Sequence, residues 1–156
     1  GEVVAGGNGD GDSLQQLDCP CGVAIGPDGS LYIGDCANHR VVCWPRGAKE
    51  GRIVAGGSRG DDLHQLSSPN GVALGPDGSL YVADIENHRV MRWRPGAAKG
   101  EVAAGGKGAG PEPRQLDGPC GVWVTPSGDL LVSERGSQMK NYRVTSWGKD
   151  SAAPGA

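Results

Sequence analysis

The sequence predicts an all-β fold, a β-propeller segment of three four-stranded blades. Residues 20–57 align with residues 69–106 without a gap at an offset of 49, with 23 of 38 positions identical, and a third copy starts at residue 119. Of the 29 glycines, 16 fall in columns where at least two of these copies have glycine. Each copy holds four short apolar runs separated by turn residues. Repeats of about 50 residues with four strands each are typical of propeller blades.

The first copy shows how each blade is built. The predicted strands are residues 22–26, 31–34, 40–44 and 52–55. Residues 27–30, Pro-Asp-Gly-Ser, separate the first two, because proline presets φ for a turn and glycine accepts positive φ. The runs are apolar on both faces rather than alternating, which predicts sheets that are covered on both sides.

The repeat phase predicts the domain organisation. Blades are expected at residues 20–57, 69–106 and 119–147, the last without its outer strand, followed by a flexible tail at 148–156. Residues 1–7 match the outer strand of a further blade, an orphan in this chain. Three blades do not close a ring. We therefore expect either a fragment of a longer propeller, the preferred interpretation, or a homodimer in which two chains close a six-bladed ring.

Composition excludes several classes of protein. Glycine and proline make up 40 of 156 residues, a share that without a period is typical of disorder, but here the glycines are periodic. The formal net charge is −3 with both signs scattered, so no broad basic field for nucleic acid is expected. No apolar run approaches the ~18 residues of a membrane span.

The motif of the second copy resembles the NHL repeat. Its matching residues are Pro69, Gly71, Val72, Ala73, Pro76, Asp77, Gly78, Leu80, Tyr81, Val82, Ala83, Asp84, Asn87, His88, Arg89 and Val90. The third copy departs from the pattern at Ser127, Glu134 and Tyr142. The resemblance implies a β-propeller, most often six-bladed, that serves as an interaction platform. A few members of the family are enzymes, and some bind RNA.

Charged and polar residues recur in every copy, and we assign them first to a structural role in the frame, by which we mean the repeated part of the blades. Asp35, Asp84 and Glu134 end the second strands, where a carboxylate stabilises a turn; the alternative is a ring of carboxylates that binds a cation. The histidines lie in separate blades without close ligand spacing, which favours packing over metal binding. The arginines are expected to pair with the carboxylate of their own blade. The frame columns are Asn38, His39, Arg40, Asn87, His88, Arg89, Asn141 and Arg143.

Residues that differ between copies are the candidates for recognition, because propeller ligands usually meet the loops. The expanded loop of copy three, residues 135–140, is the most individual. Trp123 replaces an alanine of the other copies, and Glu86 lies between the second and third strands of copy two; Trp44, Trp93 and Trp147 are expected to fill the gaps between blades. The candidate binding residues are Arg135, Gln138, Met139, Lys140, Trp123 and Glu86.

The five cysteines occupy repeat columns only sporadically, so they do not form a disulfide framework. Free thiols weakly favour a reducing compartment such as the cytoplasm. The sequence thus predicts a non-enzymatic module that binds a protein or peptide through loops at one end of the ring, without a cofactor or membrane contact. The alternatives are a propeller lyase or hydrolase with a channel-bound cation, and an RNA-binding module that uses Arg135, Lys140 and the arginine column.

Overall fold

The structure, a computed structural model, describes residues 1–136 and 142–148. Its strands form three antiparallel sheets, ordered β1-β2-β3-β4, β5-β6-β7-β8 and β11-β10-β9, which we call blades 1, 2 and 3. The strands are β1 Pro20–Ile25, β2 Leu31–Asp35, β3 Arg40–Trp44, β4 Arg52–Gly56, β5 Pro69–Leu74, β6 Leu80–Asp84, β7 Arg89–Trp93, β8 Glu101–Gly105, β9 Pro119–Val124, β10 Leu130–Glu134 and β11 Arg143–Trp147. The prediction of an all-β propeller fold is confirmed.

In blades 1 and 2, the turn between the first two strands forms because one aspartate accepts two hydrogen bonds from the serine two positions later. In blade 2, Asp77 Oδ1 accepts the Ser79 backbone N–H at 3.0 Å, and Oδ2 accepts its hydroxyl at 2.9 Å. Gly78 lies between them at φ +77°, a conformation that glycine adopts without strain. The turn therefore fixes the register of each hairpin.

The strand bounds differ slightly from those predicted. β1 begins at Pro20, two residues before the predicted start, and a register irregularity lies between Pro20 and Val23. This early start lets Pro20 pair with Asp35, so that the first strand reaches the connection that follows β2. Short 3₁₀ turns, Cys36–Asn38 and Ile85–Asn87, make that connection in blades 1 and 2. Among the described residues, no helix is long and apolar enough to cross a bilayer.

Two of the three hydrophobic clusters among the described residues lie between blades, and the third, Ile33, Val42 and Trp44, packs against Ala5 and Leu17. One cluster joins Val41 and Ala55 of blade 1 to Val72 and Met91 of blade 2, with Trp93 in the same gap. A second cluster joins blade 2 to blade 3 and includes Trp147, as the sequence predicted for the tryptophans. Leu66 and Leu116, from the linkers between blades, are fully buried in these two gaps.

The structure does not test the predictions for the two ends of the sequence. Residues 1–7 lie outside the strands, so their assignment as an orphan outer strand stays a prediction. Blade 3 contains three strands within the described residues. Residues 149–156 of the predicted tail lie outside the described residues.

Candidate binding end of the blades

The interblade linkers and the connections after β2, β6 and β10 meet at one end of the blades, which we call the linker end. Three backbone hydrogen bonds hold the connections to the linkers. Ala37 donates to the Asp18 carbonyl at 3.2 Å, and Glu86 donates to the Ser67 carbonyl at 3.3 Å. Gly136 makes the equivalent bond to the Asp117 carbonyl at 2.9 Å. The segments that differ most between copies therefore lie side by side.

A buried carboxylate organises this end of each blade. In blade 2, Asp84 is fully buried and accepts hydrogen bonds from Arg89 Nε at 2.8 Å, from the Ser67 backbone N–H at 2.6 Å and from Asn87 Nδ2 at 2.8 Å. The same pattern holds Asp35 in blade 1. Glu134 of blade 3 pairs with Arg143 at 2.9 Å and accepts the Asp117 N–H at 2.8 Å. The structure thus contains the predicted ion pairs within each blade.

Each arginine also holds the preceding linker. Arg89 Nη1 donates to the Asp61 carbonyl at 2.6 Å, and Nη2 donates to the carbonyls of Asp62 and Gln65, both at 3.2 Å. Arg40 and Arg143 bind their own linkers in the same way. Since Arg40 and Arg89 are only 4% and 5% exposed, these two residues offer no basic surface to RNA.

The carboxylates are occupied by protein donors. Burial raises the pKa of Asp84, while hydrogen bonds from Asn87, Ser67 and Arg89 act in the opposite direction. Asp35, Asp84 and Glu134 each lie in their own blade, and no group of three or more His, Cys, Asp or Glu residues within the described ranges is arranged to hold a metal ion. The geometry therefore gives the cation-binding alternative no support.

The repeated histidines join neighbouring blades. His39 Nδ1 accepts the Ser68 backbone N–H at 3.1 Å, and His88 Nδ1 accepts the Gly118 N–H at 3.2 Å. Both histidines adopt φ near +50°, which aims them across the boundary between blades. Sequence reasoning missed this role. No residue type signals it, because the donor in each case is a backbone N–H.

Glu86 is the predicted binding residue with the most defined surroundings. Its carboxylate accepts the hydroxyls of Ser67 at 2.6 Å and Ser68 at 3.0 Å, and Arg59 Nη2 at 2.9 Å. The hydroxyls of Ser67 and Ser68, and then the positive charge of Arg59, hold the pKa of Glu86 below its ordinary value. Glu86 is therefore ionised at neutral pH on an exposed surface.

The structure brings some of the predicted binding residues together and separates others. Arg135 lies at the linker end with Glu86 and is exposed. Trp123 lies apart, in β9 opposite Leu131, and is 65% exposed on the free face of blade 3. The remaining predicted positions, Gln138, Met139, Lys140 and Asn141, lie outside the described residues.

Three thiols flank the start of β1 at the linker end of blade 1. Burial, and then the neighbouring Cys21 thiol, raise the pKa of Cys36 to about 11. Cys21 is also the main cause of the raised pKa of Cys19. Because a thiolate rather than a thiol is the nucleophile, Cys36 and Cys19 are poor nucleophiles at neutral pH.

Comparison with protein families matches the parts of the chain that contain this geometry. The family model of the NHL repeat matches residues 17–44 and 66–92. These two segments are NHL repeats. Both matched segments include the buried aspartate, its arginine and the histidine between them. No curated protein sequence matches the chain.

Solved structures share the fold of these NHL repeats at low sequence identity. A gluconolactonase from Xanthomonas campestris has a TM-score of 0.67 at 16% identity, over 90% of this chain and 47% of that one. A chain of the nidogen/laminin complex has a TM-score of 0.65 at 18% identity, over 88% and 47%. A streptogramin B lyase has a TM-score of 0.53 at 17% identity, over 83% and 40%. The chain thus spans less than half of each of these structures.

Removing the Ser67 hydroxyl from the second NHL repeat is expected to raise the pKa of Glu86 toward its ordinary value of about 4.3. Because the pKa of Glu86 is lowered by folding, its contribution to stability is present above that ordinary value and is lost as the pH falls through the folded-state pKa. NMR titration of the Glu86 side chain in Ser67→Ala measures the shift. Ser79→Ala, at the opposite end of the blade, serves as the control, and an unchanged Glu86 pKa in Ser67→Ala would contradict the assignment.

Proposed function

We propose that the chain is a non-enzymatic propeller module that binds a protein or peptide at the linker end. One observation carries the proposal: except for the partly exposed Arg143, the charged residues that recur in every blade are buried within the frame, while residues particular to one blade are exposed at the linker end. Glu86 and Arg135 belong to that exposed set. Variable side chains on a rigid frame are typical of binding loops.

The charge along the three linkers gives the expected ligand a direction. The first linker exposes Asp10 and Asp12, and the third exposes Lys107 and Arg114 beside Glu112. An extended peptide with a basic part over blade 1 and an acidic part toward blade 3 complements this order. Complementary charge fixes the register and speeds association.

The structural comparison agrees with a protein ligand. One of the similar solved structures belongs to the nidogen/laminin complex, in which a chain of this fold is part of a protein complex. At 18% identity that likeness concerns the fold alone. The proposal therefore rests on the exposed residues of this chain and not on that likeness.

A peptide library displayed on phage, selected against the purified chain, tests the proposal. Selected peptides are expected to lose about tenfold in affinity for Asp12→Lys and for Glu86→Lys, a change of roughly 1.4 kcal/mol. Glu50→Lys, exposed in the turn at the opposite end, is the matched control and is expected to bind like the unsubstituted chain. A selection without enrichment, or equal losses in all three variants, would contradict the proposal.

The alternative function is that of a lyase or hydrolase with a bound cation. Two of the similar structures, a gluconolactonase and a streptogramin B lyase, favour this alternative. The interblade groove beside Tyr32, Arg52 and Trp93, about 320 Å³, is lined by none of the three carboxylates. We expect elemental analysis of the purified protein to find no stoichiometric Ca²⁺ or Zn²⁺, and a stoichiometric ion removed by a chelator would favour the enzyme.

An RNA-binding module is the remaining alternative from the sequence. It predicts affinity for RNA that falls steeply with salt, because each phosphate contact releases counterions. With Arg40 and Arg89 buried, we expect only weak and salt-insensitive binding to pools of RNA. Fluorescence anisotropy at two salt concentrations measures it.

A further inference from the structure

Blade 1 brings three thiols together at the linker end. Cys19 and Cys21 flank Pro20, where β1 begins, and Cys36 begins the 3₁₀ turn after β2. All three are free thiols. The same columns hold Ser68, Asn70 and Ile85 in blade 2, and Gly118, Cys120 and Arg135 in blade 3. The group of three thiols is therefore particular to blade 1, and we call it the thiol cluster.

The backbone places Cys19 opposite Cys36. On one side of these two residues, Pro20 and Asp35 are paired in the register of β1 and β2. On the other side, the Ala37 N–H donates to the linker carbonyl just before Cys19 at 3.2 Å. Directly opposed residues have Cα atoms roughly 4.5–5.5 Å apart, within the range of about 4.4–6.8 Å that a disulfide needs. The two segments thus have the spacing of a disulfide before any bond forms.

Blade 3 gives a distance between side chains for the same arrangement. A Cβ at Gly118, in the column of Cys19, would lie 3.4 Å from Cγ of Arg135, in the column of Cys36. The backbone matches as well, since φ is +53° at Cys19 and +60° at Gly118. In a disulfide, the Cβ of one cysteine lies about 3 Å from the sulfur of the other. A sulfur at the Cγ position of this column therefore needs only a small rotation to bond to Cys19.

The third thiol, Cys21, interacts with both of the others. Its Sγ donates to the Cys19 carbonyl at 3.4 Å. After burial, the Cys21 thiol is the main cause that raises the pKa of Cys36, and it is the first cause of the raised pKa of Cys19. Cys21 is exposed, whereas Cys36 is partly buried. Cys21 is therefore placed to meet a soluble oxidant and to pass the oxidation to Cys36.

We propose that Cys19 and Cys36 form a reversible disulfide by exchange with a small-molecule disulfide such as glutathione disulfide, and that Cys21 starts the exchange. The Cys21 thiolate attacks one sulfur of glutathione disulfide and releases one glutathione thiolate. The Cys36 thiolate attacks the Cys21 sulfur and releases the second glutathione, and the Cys19 thiolate then attacks the Cys36 sulfur and releases Cys21. Two cysteine thiols are oxidised, one glutathione disulfide is reduced to two glutathione thiols, and the protons of Cys19 and Cys36 go to these thiols.

The disulfide ties the connection after β2 to the residue just before β1. A backbone hydrogen bond already joins Ala37 to Asp18 beside this position, so the bond forms without a movement of the blade. Once Cys21 carries glutathione it has no charge, which removes one cause of the raised pKa of Cys36 and favours the second attack. The inference does not depend on the proposed binding function.

Peptide mass spectrometry of the whole chain after incubation with glutathione disulfide tests the proposal. Proteolysis before aspartates and after arginines separates residues 18–27, which contain Cys19 and Cys21, from residues 35–40, which contain Cys36. We expect these two peptides to be joined in most chains, and we expect dithiothreitol to separate them again. A mixture of isotope-labelled and unlabelled chains distinguishes a bond within one chain from a bond between chains.

Serine variants of the thiol cluster identify the bonded pair. Cys21→Ser is expected to keep the joined peptides, because Cys19 stays opposite Cys36 and loses the main cause of its raised pKa. Cys19→Ser is expected to give at least about tenfold less of them, because a bond from Cys21 to Cys36 departs from the opposed geometry and is more easily reduced. Circular dichroism checks that both variants stay folded.

Cys120 is the matched control within the same chain. Its Sγ donates to the Gly118 carbonyl at 3.4 Å, as that of Cys21 does to Cys19, but blade 3 has no thiol in the columns of Cys19 and Cys36. Cys120 is expected to take up glutathione without forming a bond within the chain. Absence of the joined peptides, their formation mainly between chains, an equal yield in Cys19→Ser, or their loss in folded Cys21→Ser would each overturn the proposal.

Discussion

Arg89→Met is expected to lower the free energy of unfolding by about 3–5 kcal/mol, because it leaves a buried carboxylate without its counter-ion. Asp84 is fully buried, and Arg89 is its only cationic partner among the described residues. The same substitution removes three hydrogen bonds from the guanidinium to carbonyls of the second linker. Urea denaturation followed by tryptophan fluorescence measures the change.

An exposed ion pair at the same end supplies the control. Arg59 and Glu86 are paired at 2.9 Å, but their side chains are 66% and 44% accessible, so Arg59→Met is expected to cost less than about 1 kcal/mol. Adding Asp84→Asn to Arg89→Met removes the unpaired charge and keeps an oxygen for the Ser67 N–H. This double variant is expected to be more stable than Arg89→Met alone. Equal losses for Arg59→Met and Arg89→Met would show that burial of the pair is unimportant.

The repeat itself is the reason why the sequence predicted the fold so fully. A turn such as residues 27–30 is local, since the aspartate binds a serine two positions away, and it recurs in the second copy. The third strand was predicted with its observed bounds, Arg40–Trp44. The ion pairs could also be predicted, because Asp84 and Arg89 recur together and face each other across adjacent strands. Sequence patterns carry this information whenever both partners belong to one blade.

Contacts between blades could not be predicted from the sequence pattern in the same way. The acceptor role of His39 depends on the backbone N–H of Ser68, 29 residues away, and a backbone donor leaves no trace in the amino-acid pattern. Trp123 is predicted as a binding residue together with residues of the loops, but the alternation of strand residues places it on the free face of blade 3, opposite Leu131. Glu86 and Arg135 meet at one end because linkers and connections cross there, which depends on how the blades stack.

Gly71→Ala is expected to lower the free energy of unfolding by about 3 kcal/mol, because the first strands of neighbouring blades touch at this residue. A Cβ at Gly71 would lie 2.4 Å from the Cys120 carbonyl oxygen and 2.8 Å from the Gly121 Cα. Both are backbone atoms, so the overlap is relieved only by moving β9 away from β5. Such a movement would loosen the whole cluster between blades 2 and 3. Thermal and urea unfolding measure the loss.

Gly96→Ala separates this steric cause from the conformational one. Gly96 has φ +75° and nothing within 4 Å of an added Cβ, so it tests strain of the backbone without crowding, at an expected cost of about 1–2 kcal/mol. Gly22→Ala repeats the crowding at the boundary of blades 1 and 2, where the Cβ would meet the Asn70 carbonyl oxygen. We expect Gly22→Ala to resemble Gly71→Ala in its effect. If Gly71→Ala lowered the free energy of unfolding no more than Gly96→Ala, the blades would have room to separate. Close contact between their first strands would then not determine how neighbouring blades are arranged.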